Sequence, residues 1–255
     1  MPLALESLSS FPPLTLADLE ATWTMARRYD TKFILERRAM DQFLEQTAAR
    51  FAALEMAGER AFTYRTTYFD TPDLLFYRDH AQGRSRRVKV RTRHYVDSNR
   101  ARLEVKAKLG NGQTQKTLFE DFAELGPLQI PLIDQAIAQT YPTPRYSDLA
   151  SQLIQSAITT FVRSTVINQD SVERITFDSS LLLDSNGKRM CLLPELVLVE
   201  VKSIHPISDT VRELRQLGLH PTSFSKYCAA IETTRDLRPR IHNANLLART
   251  LCSVN

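Results

Sequence analysis

Polar and apolar positions alternate with a period of two in several short segments spread along the chain, and the polar positions are rich in cations. In "RRVKVRTRHY" (86–95), Val88 and Val90 alternate with Arg87, Lys89, Arg91 and Arg93. A strand turns successive side chains to opposite faces, so one face here is apolar and the other holds all four charges. Same-face neighbours lie roughly 7 Å apart, and unit charges at that distance repel by about 2 kcal/mol per pair at an effective dielectric near 20. The pattern recurs in "RYDTKFIL" (28–35), where Arg28, Asp30 and Lys32 share a face, and in "RLEVKAK" (102–108), where Arg102, Glu104, Lys106 and Lys108 do. It recurs in "RITFD" (174–178) with Arg174, Thr176 and Asp178, and in "LVLVEVKS" (196–203) with Glu200 and Lys202. Arg163 in "FVRSTVI" (161–167) adds another cation on a predicted strand.

Between these segments the apolar spacing lengthens to that of a helix. Helices are predicted over 36–57, with a stripe of Phe43, Leu44, Thr47, Ala48, Phe51 and Leu54, and over 117–125 and 131–140. Another is predicted over 146–160, where Leu149, Leu153, Ile154, Ala157 and Ile158 recur. A short helix at 209–217 has Asp209 as its predicted N-cap and Gly218 just past its end, and a last one starts at Ser225. "KLGNGQTQK" (108–116) reads as a hairpin turn. Asp70 and Asp73 of "YFDTPD" (68–73) read as organisers of a turn before Leu74. No internal repeat or Gly/Ser linker divides the chain, so residues 1–255 read as one domain.

Antiparallel sheets with one solvated face also alternate, but they mix the signs of their surface charges. Here Arg and Lys recur on nearly every predicted strand, with one acid on each or none. A sheet curled around those cations, with its apolar face turned outward under the helices, accounts for the bias. The crowded charges then become a binding potential for a polyanion, and the planar fork of Arg suits phosphate oxygens.

Composition changes this picture little. Lys plus Arg total 33 against 29 acids, a net charge of +4 on 255 residues, so distribution matters more than total. The three cysteines (Cys191, Cys228, Cys252) are far apart in sequence and without CxxC spacing, which argues against a zinc site or disulfide framework and for a reducing compartment. The first residues lack a basic n-region, and no apolar run approaches the length of a membrane span. A cytoplasmic, soluble protein with no direct membrane insertion is expected. The five histidines show no ligand spacing, and neither a P-loop nor a GxGxxG nor a nucleophile elbow is present.

"YFDTPD", the charged first strand, an "R-x-R" strand, an "E-x-K" strand and a late "E-x-K" occur in the order that marks the triphosphate tunnel metalloenzyme (CYTH-like) superfamily. Within it, "RYDTKF", "VRTRHY", "LEVKAK", "VEVKS" and "SFSKYC" (223–228) resemble the polyphosphate polymerase domain of the vacuolar transporter chaperone (VTC) family over about residues 24–233. The resemblance implies an α+β fold: an eight-stranded antiparallel β-barrel, the triphosphate tunnel, with helices packed outside. By residue, it implies that Lys32, Arg91, Arg93, Lys106, Arg163 and Arg174 grip phosphates, with Lys89, Lys108, Lys116 and Lys202 on the same path. Glu200 matches the family's metal-coordinating carboxylate, for Mn²⁺ or Mg²⁺, and Ser225 and Lys226 match its "S-K" pair. Arg91, Arg93 and Lys226 fall where charge on a transferring phosphoryl group is offset.

Two departures bear on the reaction. Hydrolase members begin with "E-x-E-x-K", whereas this chain has Arg28, Asp30 and Lys32, which weakens the case for a metal-activated water. Phe161 stands where the polymerase often has Tyr. The expectation is a polymerase that moves the γ-phosphoryl group of ATP onto inorganic polyphosphate, any membrane coupling coming from a partner protein. Two rivals remain: a tripolyphosphatase or nucleoside triphosphatase on the same fold, using Asp30, Glu104, Asp178 and Glu200, and a non-enzymatic polyanion binder. Nucleic acid is disfavoured as a partner, because the basic strands lack interleaved exposed aromatics for base stacking and their charges are expected to face inward.

Overall fold

The computed structural model describes residues 6–22, 29–110, 113–122, 125–141, 143–235, 237, 240–242 and 244–254. Its strands are β1 (Pro13–Leu14), β2 (Tyr29–Glu36), β3 (Phe51–Leu54), β4 (Phe62–Asp70), β5 (Arg87–Tyr95), β6 (Arg100–Lys108), β7 (Thr114–Glu120), β8 (Ile154–Asn168), β9 (Glu173–Ser185), β10 (Lys188–Leu192), β11 (Leu196–Ser203) and β12 (Leu251–Ser253). Its α-helices are α1 (Leu16–Thr22), α2 (Arg37–Gln46), α3 (Leu75–Ala81), α4 (Ile130–Thr140), α5 (Asp209–Gln216), α6 (Lys226–Thr234) and α7 (Ala244–Thr250). Eight strands pair antiparallel in the order β2–β11–β9–β8–β4–β5–β6–β7. β3 pairs with β8 and carries β1, while β10 pairs with β9 and carries β12.

The sheet therefore departs from the expected barrel in two ways. Among the described residues it has twelve strands, and its edge strands β2 and β7 do not pair, so the eight-strand path stays open. Alternation along a strand fixes which face a residue takes but not whether two edges meet. Three of the four extra strands run two to four residues, too short to show a period, and β10 is only five residues long.

The outer face is apolar and covered, as the alternation requires. Val88, Val90, Leu103, Val105 and Ala107 pack with Ile133, Ala136 and Ile137 of α4 and with α3. Phe33, Val197, Val199, Val201, Ile175 and Phe177 pack with Met40, Phe43 and Leu44 of α2 and with Val211 and Leu214 of α5. Each such side chain contributes about 1.5–3 kcal/mol when fully buried. On the inner face, α6 lies at one end of the curled sheet. Tyr227, Cys228, Ala230 and Ile231 of α6 pack on Tyr68, Phe161, Leu181, Leu183 and Leu198.

Three predicted helices are corrected. The 36–57 helix stops at Gln46, and Phe51–Leu54 pairs with β8 instead. All four of these residues are buried, a continuous apolar run that mimics the continuing stripe of a helix. Residues 117–120 of the predicted 117–125 helix belong to β7, held by its ladder to β6, and residues 123 and 124 lie outside the described residues. The 146–160 helix gives two 3₁₀ turns and then β8, whose run Ile158–Thr160, Val162 and Thr165–Ile167 is β-branched and strand-favouring. α4, α5 and α6 lie where helices are predicted, although the cap of α5 is Ser208, whose hydroxyl accepts from the Val211 N–H; Asp209 pairs with Arg212. The β6–β7 hairpin closes with Leu109 N–H donating to the Gln113 carbonyl at 2.7 Å. Arg28, Asn111 and Gly112 lie outside the described residues.

Candidate active site

Cross-strand register gathers the inner-face charges into one tier. Lys89 of β5 lies opposite Lys106 of β6, which lies opposite Lys116 of β7. Arg91 faces Glu104 on the same pair of strands. On the other wall, Arg163 of β8 faces Asp178 of β9, and Arg174 of β9 faces Lys202 of β11. Glu200 and Lys202 of β11 face Lys32 and Asp30 of β2. With Arg93 and Lys226 included, ten Arg and Lys side chains stand against four carboxylates. Like charges directly opposite each other on a sheet destabilise it, and this tier repeats that arrangement.

Glu104, Asp178 and Glu200 are each held by more than one cation. Glu104, fully buried, meets Arg91 at 2.5 Å, Lys116 at 3.1 Å and Arg93 at 3.7 Å. Burial alone would raise its pKa, but these three cations hold it well below the usual carboxylate range. Asp178 receives both guanidinium donors of Arg163, at 2.6 and 2.7 Å, together with the Lys226 ammonium. Glu200 meets Lys202 at 2.6 Å and Lys32 at 3.1 Å, and Lys202 also reaches Asp30 at 3.2 Å.

The surplus cations show the strain of their company. Burial, reinforced by Arg91, brings the Lys106 ammonium down to about 7. Burial likewise brings Lys89 and Lys226 down to about 8, with Arg91 and Arg163 respectively adding to the effect. Aromatic faces supply part of the missing compensation. Tyr64 lies under both Arg93 and Arg163, at 5.8 and 5.3 Å, and Phe161 lies under Arg163 and Lys226, at 5.1 and 4.4 Å.

Ser225 is the N-cap of α6, its hydroxyl accepting from the Cys228 N–H and from Lys89 Nζ at 3.1 Å. The turn of α6 thus delivers Ser225 and Lys226 to the tier from the packed end. Every cation that the resemblance assigns to the phosphate path lies in this tier except Lys108, which stands at its rim opposite Arg87. The sequence reading passed over Tyr64 and Tyr68, although their spacing in "TYRTTYFD" puts them on the face of Thr66, which lies opposite Arg93. Asp70 serves structure as expected: it accepts from the backbone N–H groups of Thr71, Phe76 and Tyr77 and from the Tyr227 hydroxyl. The cysteines depart from their distant spacing, since Cys191 and Cys252 face each other across β10 and β12 as free thiols with Sγ atoms 2.9 Å apart.

The VTC domain family matches residues 27–235, most of the chain and all of the tier. The chain belongs to the VTC domain family. Among solved structures, this VTC domain is similar in fold to a candidate adenylate cyclase from Bacillus halodurans, with a TM-score of 0.51 and 13% identity over 79% of this chain and 96% of that one. A Hippeastrum protein described as a candidate adenylyl cyclase with a dominant triphosphatase activity aligns with a TM-score of 0.47 and 14% identity, over 84% of this chain and 99% of that one. The PH1819 protein of Pyrococcus horikoshii aligns with a TM-score of 0.45 and 12% identity, over 82% and 99% of the two chains. No curated protein matches the sequence. The family match places the tier within a VTC domain, and the likeness to the Bacillus halodurans structure is one of fold. None of the helices is long and apolar enough to cross a membrane among the described residues.

Proposed function

We propose that this VTC domain is a metal-dependent polyphosphate polymerase that transfers the γ-phosphoryl group of ATP to the end of an inorganic polyphosphate chain. The observation that carries the reading is the surplus of cations over carboxylates on one inner face. Phosphoryl transfer needs little covalent help, because positioning and charge neutralisation supply most of the rate. Arg91, Arg93 and Lys226 offset charge on the group in transfer. Lys32, Arg163, Arg174 and Lys202 bind phosphates on one wall, and Lys89, Lys106 and Lys116 on the other, with Ser225 at the turn of α6. Cations recur along β5 from Arg87 to Arg93, roughly 20 Å of strand, and Lys108 extends them at the rim. That length suits a string of phosphates.

The carboxylates fit a metal carried in with the substrate. Glu200 and Asp30 both reach Lys202 Nζ, so two hard oxygen donors stand together. Among the described residues no three acidic, His or Cys side chains form a metal cage. One or two carboxylates completed by substrate phosphates is the pattern of Mg²⁺, and Mn²⁺ accepts the same oxygen donors. Glu200, with Asp30 beside it, would hold that ion, which supplies neutralisation of phosphate charge when bound.

Incubating the purified protein with ATP and Mn²⁺ and sizing the products tests the reading. Long-chain polyphosphate with ADP is expected. Orthophosphate alone would replace the polymerase with a triphosphatase, and binding without turnover would leave a polyanion-binding protein.

A further inference from the structure

Behind the Ser225–Lys226 turn the structure buries a polar link that does not line the phosphate-facing tier. Glu232, two turns along α6 and 2% exposed, accepts from the backbone N–H groups of Arg240 and Ile241 at 2.9 and 3.0 Å and from the Tyr77 hydroxyl at 3.2 Å. Its other oxygen lies 2.5 Å from Nδ1 of His242. On the far side of that ring, Nε2 lies 3.0 Å from the Ser225 backbone nitrogen. The ring is buried and tilts against Phe224, with centroids 5.2 Å apart.

These partners leave one proton arrangement. A backbone N–H only donates, so Nε2 carries no proton; a carboxylate only accepts, so Nδ1 carries it. Glu232 is ionised, because the His242 ring and the two backbone N–H groups outweigh burial and hold its pKa below the ordinary value. In a capping box, the side chain at N3 reaches back to the N-cap N–H. Here N3 is Cys228, which cannot make that contact as a Glu would, and His242 satisfies the Ser225 N–H in its place. His242 lies beyond the span that the VTC family matches.

We propose that Glu232 and His242 are positioning residues for phosphoryl transfer: Glu232 sets the His242 tautomer, and His242 fixes the backbone of the Ser225–Lys226 turn so that Lys226 Nζ stays over Phe161 and beside Asp178. This rests on the reading that the tier transfers phosphate. The isosteric Glu232→Gln exposes the logic. Its amide N–H donates to Nδ1, drives the ring proton to Nε2 and sets two donors against each other at Ser225.

The test uses the full chain, with turnover of ATP in Mn²⁺, the Kd of tripolyphosphate, and nitrogen-15 NMR of labelled histidine. Removing an outer-shell partner that orients a metal ligand typically costs roughly 10–100-fold, and a loss on that scale is expected for groups that orient Lys226. Glu232→Gln and His242→Phe should lower kcat by about that factor while the tripolyphosphate Kd moves by less than about threefold, since nine other cations keep the ligand. His242→Gln, whose side-chain oxygen can accept from Ser225, should recover most of the loss. In that background Glu232→Gln should add little, the non-additivity of two residues acting through one hydrogen-bond chain, and the split between a lowered kcat and an unmoved tripolyphosphate Kd is what a purely structural role would not give. NMR should show the wild-type proton on Nδ1. A kcat within about twofold of wild type for both Glu232→Gln and His242→Phe, or a proton on Nε2, overturns the proposal. A wild type that turns over neither ATP nor tripolyphosphate fails the functional reading and the positioning role together, and the tautomer then tells that failure from a missing link.

Discussion

Lys106 lies between Lys89 and Lys116 in register and forms no ion pair among the described residues. Its ammonium is down to about 7, and those of Lys89 and Lys226 to about 8, with burial the largest cause in each. The sign of the pH effect follows. The unfolded chain binds more protons than the folded one between these values and the ordinary lysine pKa of about 10.4, so these groups make the free protein more stable as pH rises through that window. Their destabilising effect is complete below about pH 7. A bound polyanion favours the charged ammoniums, so tripolyphosphate should bind with proton uptake of up to three protons near pH 9, and uptake by these lysines should fade toward pH 6. Calorimetry in buffers of different ionisation enthalpy reads this directly; pH-independent binding without proton uptake would show that these lysines do not meet the ligand. At this scale the sequence was informative, because a period of two places a residue on a face without any knowledge of its partners. His242 and Glu232 were not legible, since their roles arise from a loop returning to a helix cap rather than from any spacing.

Glu104 ties three strands, holding Arg91 and Arg93 of β5 and Lys116 of β7 from its place on β6. Removing one partner of a buried charge cluster typically costs about 3–5 kcal/mol, because the others stay buried and unpaired. Glu104→Gln should therefore lower the thermal midpoint markedly, and tripolyphosphate should restore part of the loss by supplying negative charge to the same cations. An unchanged midpoint would show that the cluster is not coupled as its geometry indicates. Elements with strict alternation were read correctly, as were α4, α5 and α6, whose ends are marked by Pro, Ser and Gly. β3 and the first half of β8, up to Thr160, read as helix because their buried apolar residues fall at three- and four-residue spacings by chance, and pairing with a neighbouring strand overrides that local signal; the second half of β8, 161–167, reads correctly as strand.

Over the whole molecule, outward apolar faces under helices and an inward charged face were anticipated from alternation, while strand number and the open edge between β2 and β7 were not. Local periodicity carries no information on which strands end a sheet. The central claim is that the inner cations converge to embrace one chain of phosphates, and a crystal structure with tripolyphosphate tests it most directly. The account predicts phosphate oxygens within hydrogen-bonding distance of Arg91, Arg93, Lys32 and Lys226, with the Asp178–Lys226 and Glu104–Arg91 pairs loosened. A tripolyphosphate seated on the outer surface, with those inner pairs intact and the tier untouched, would contradict it.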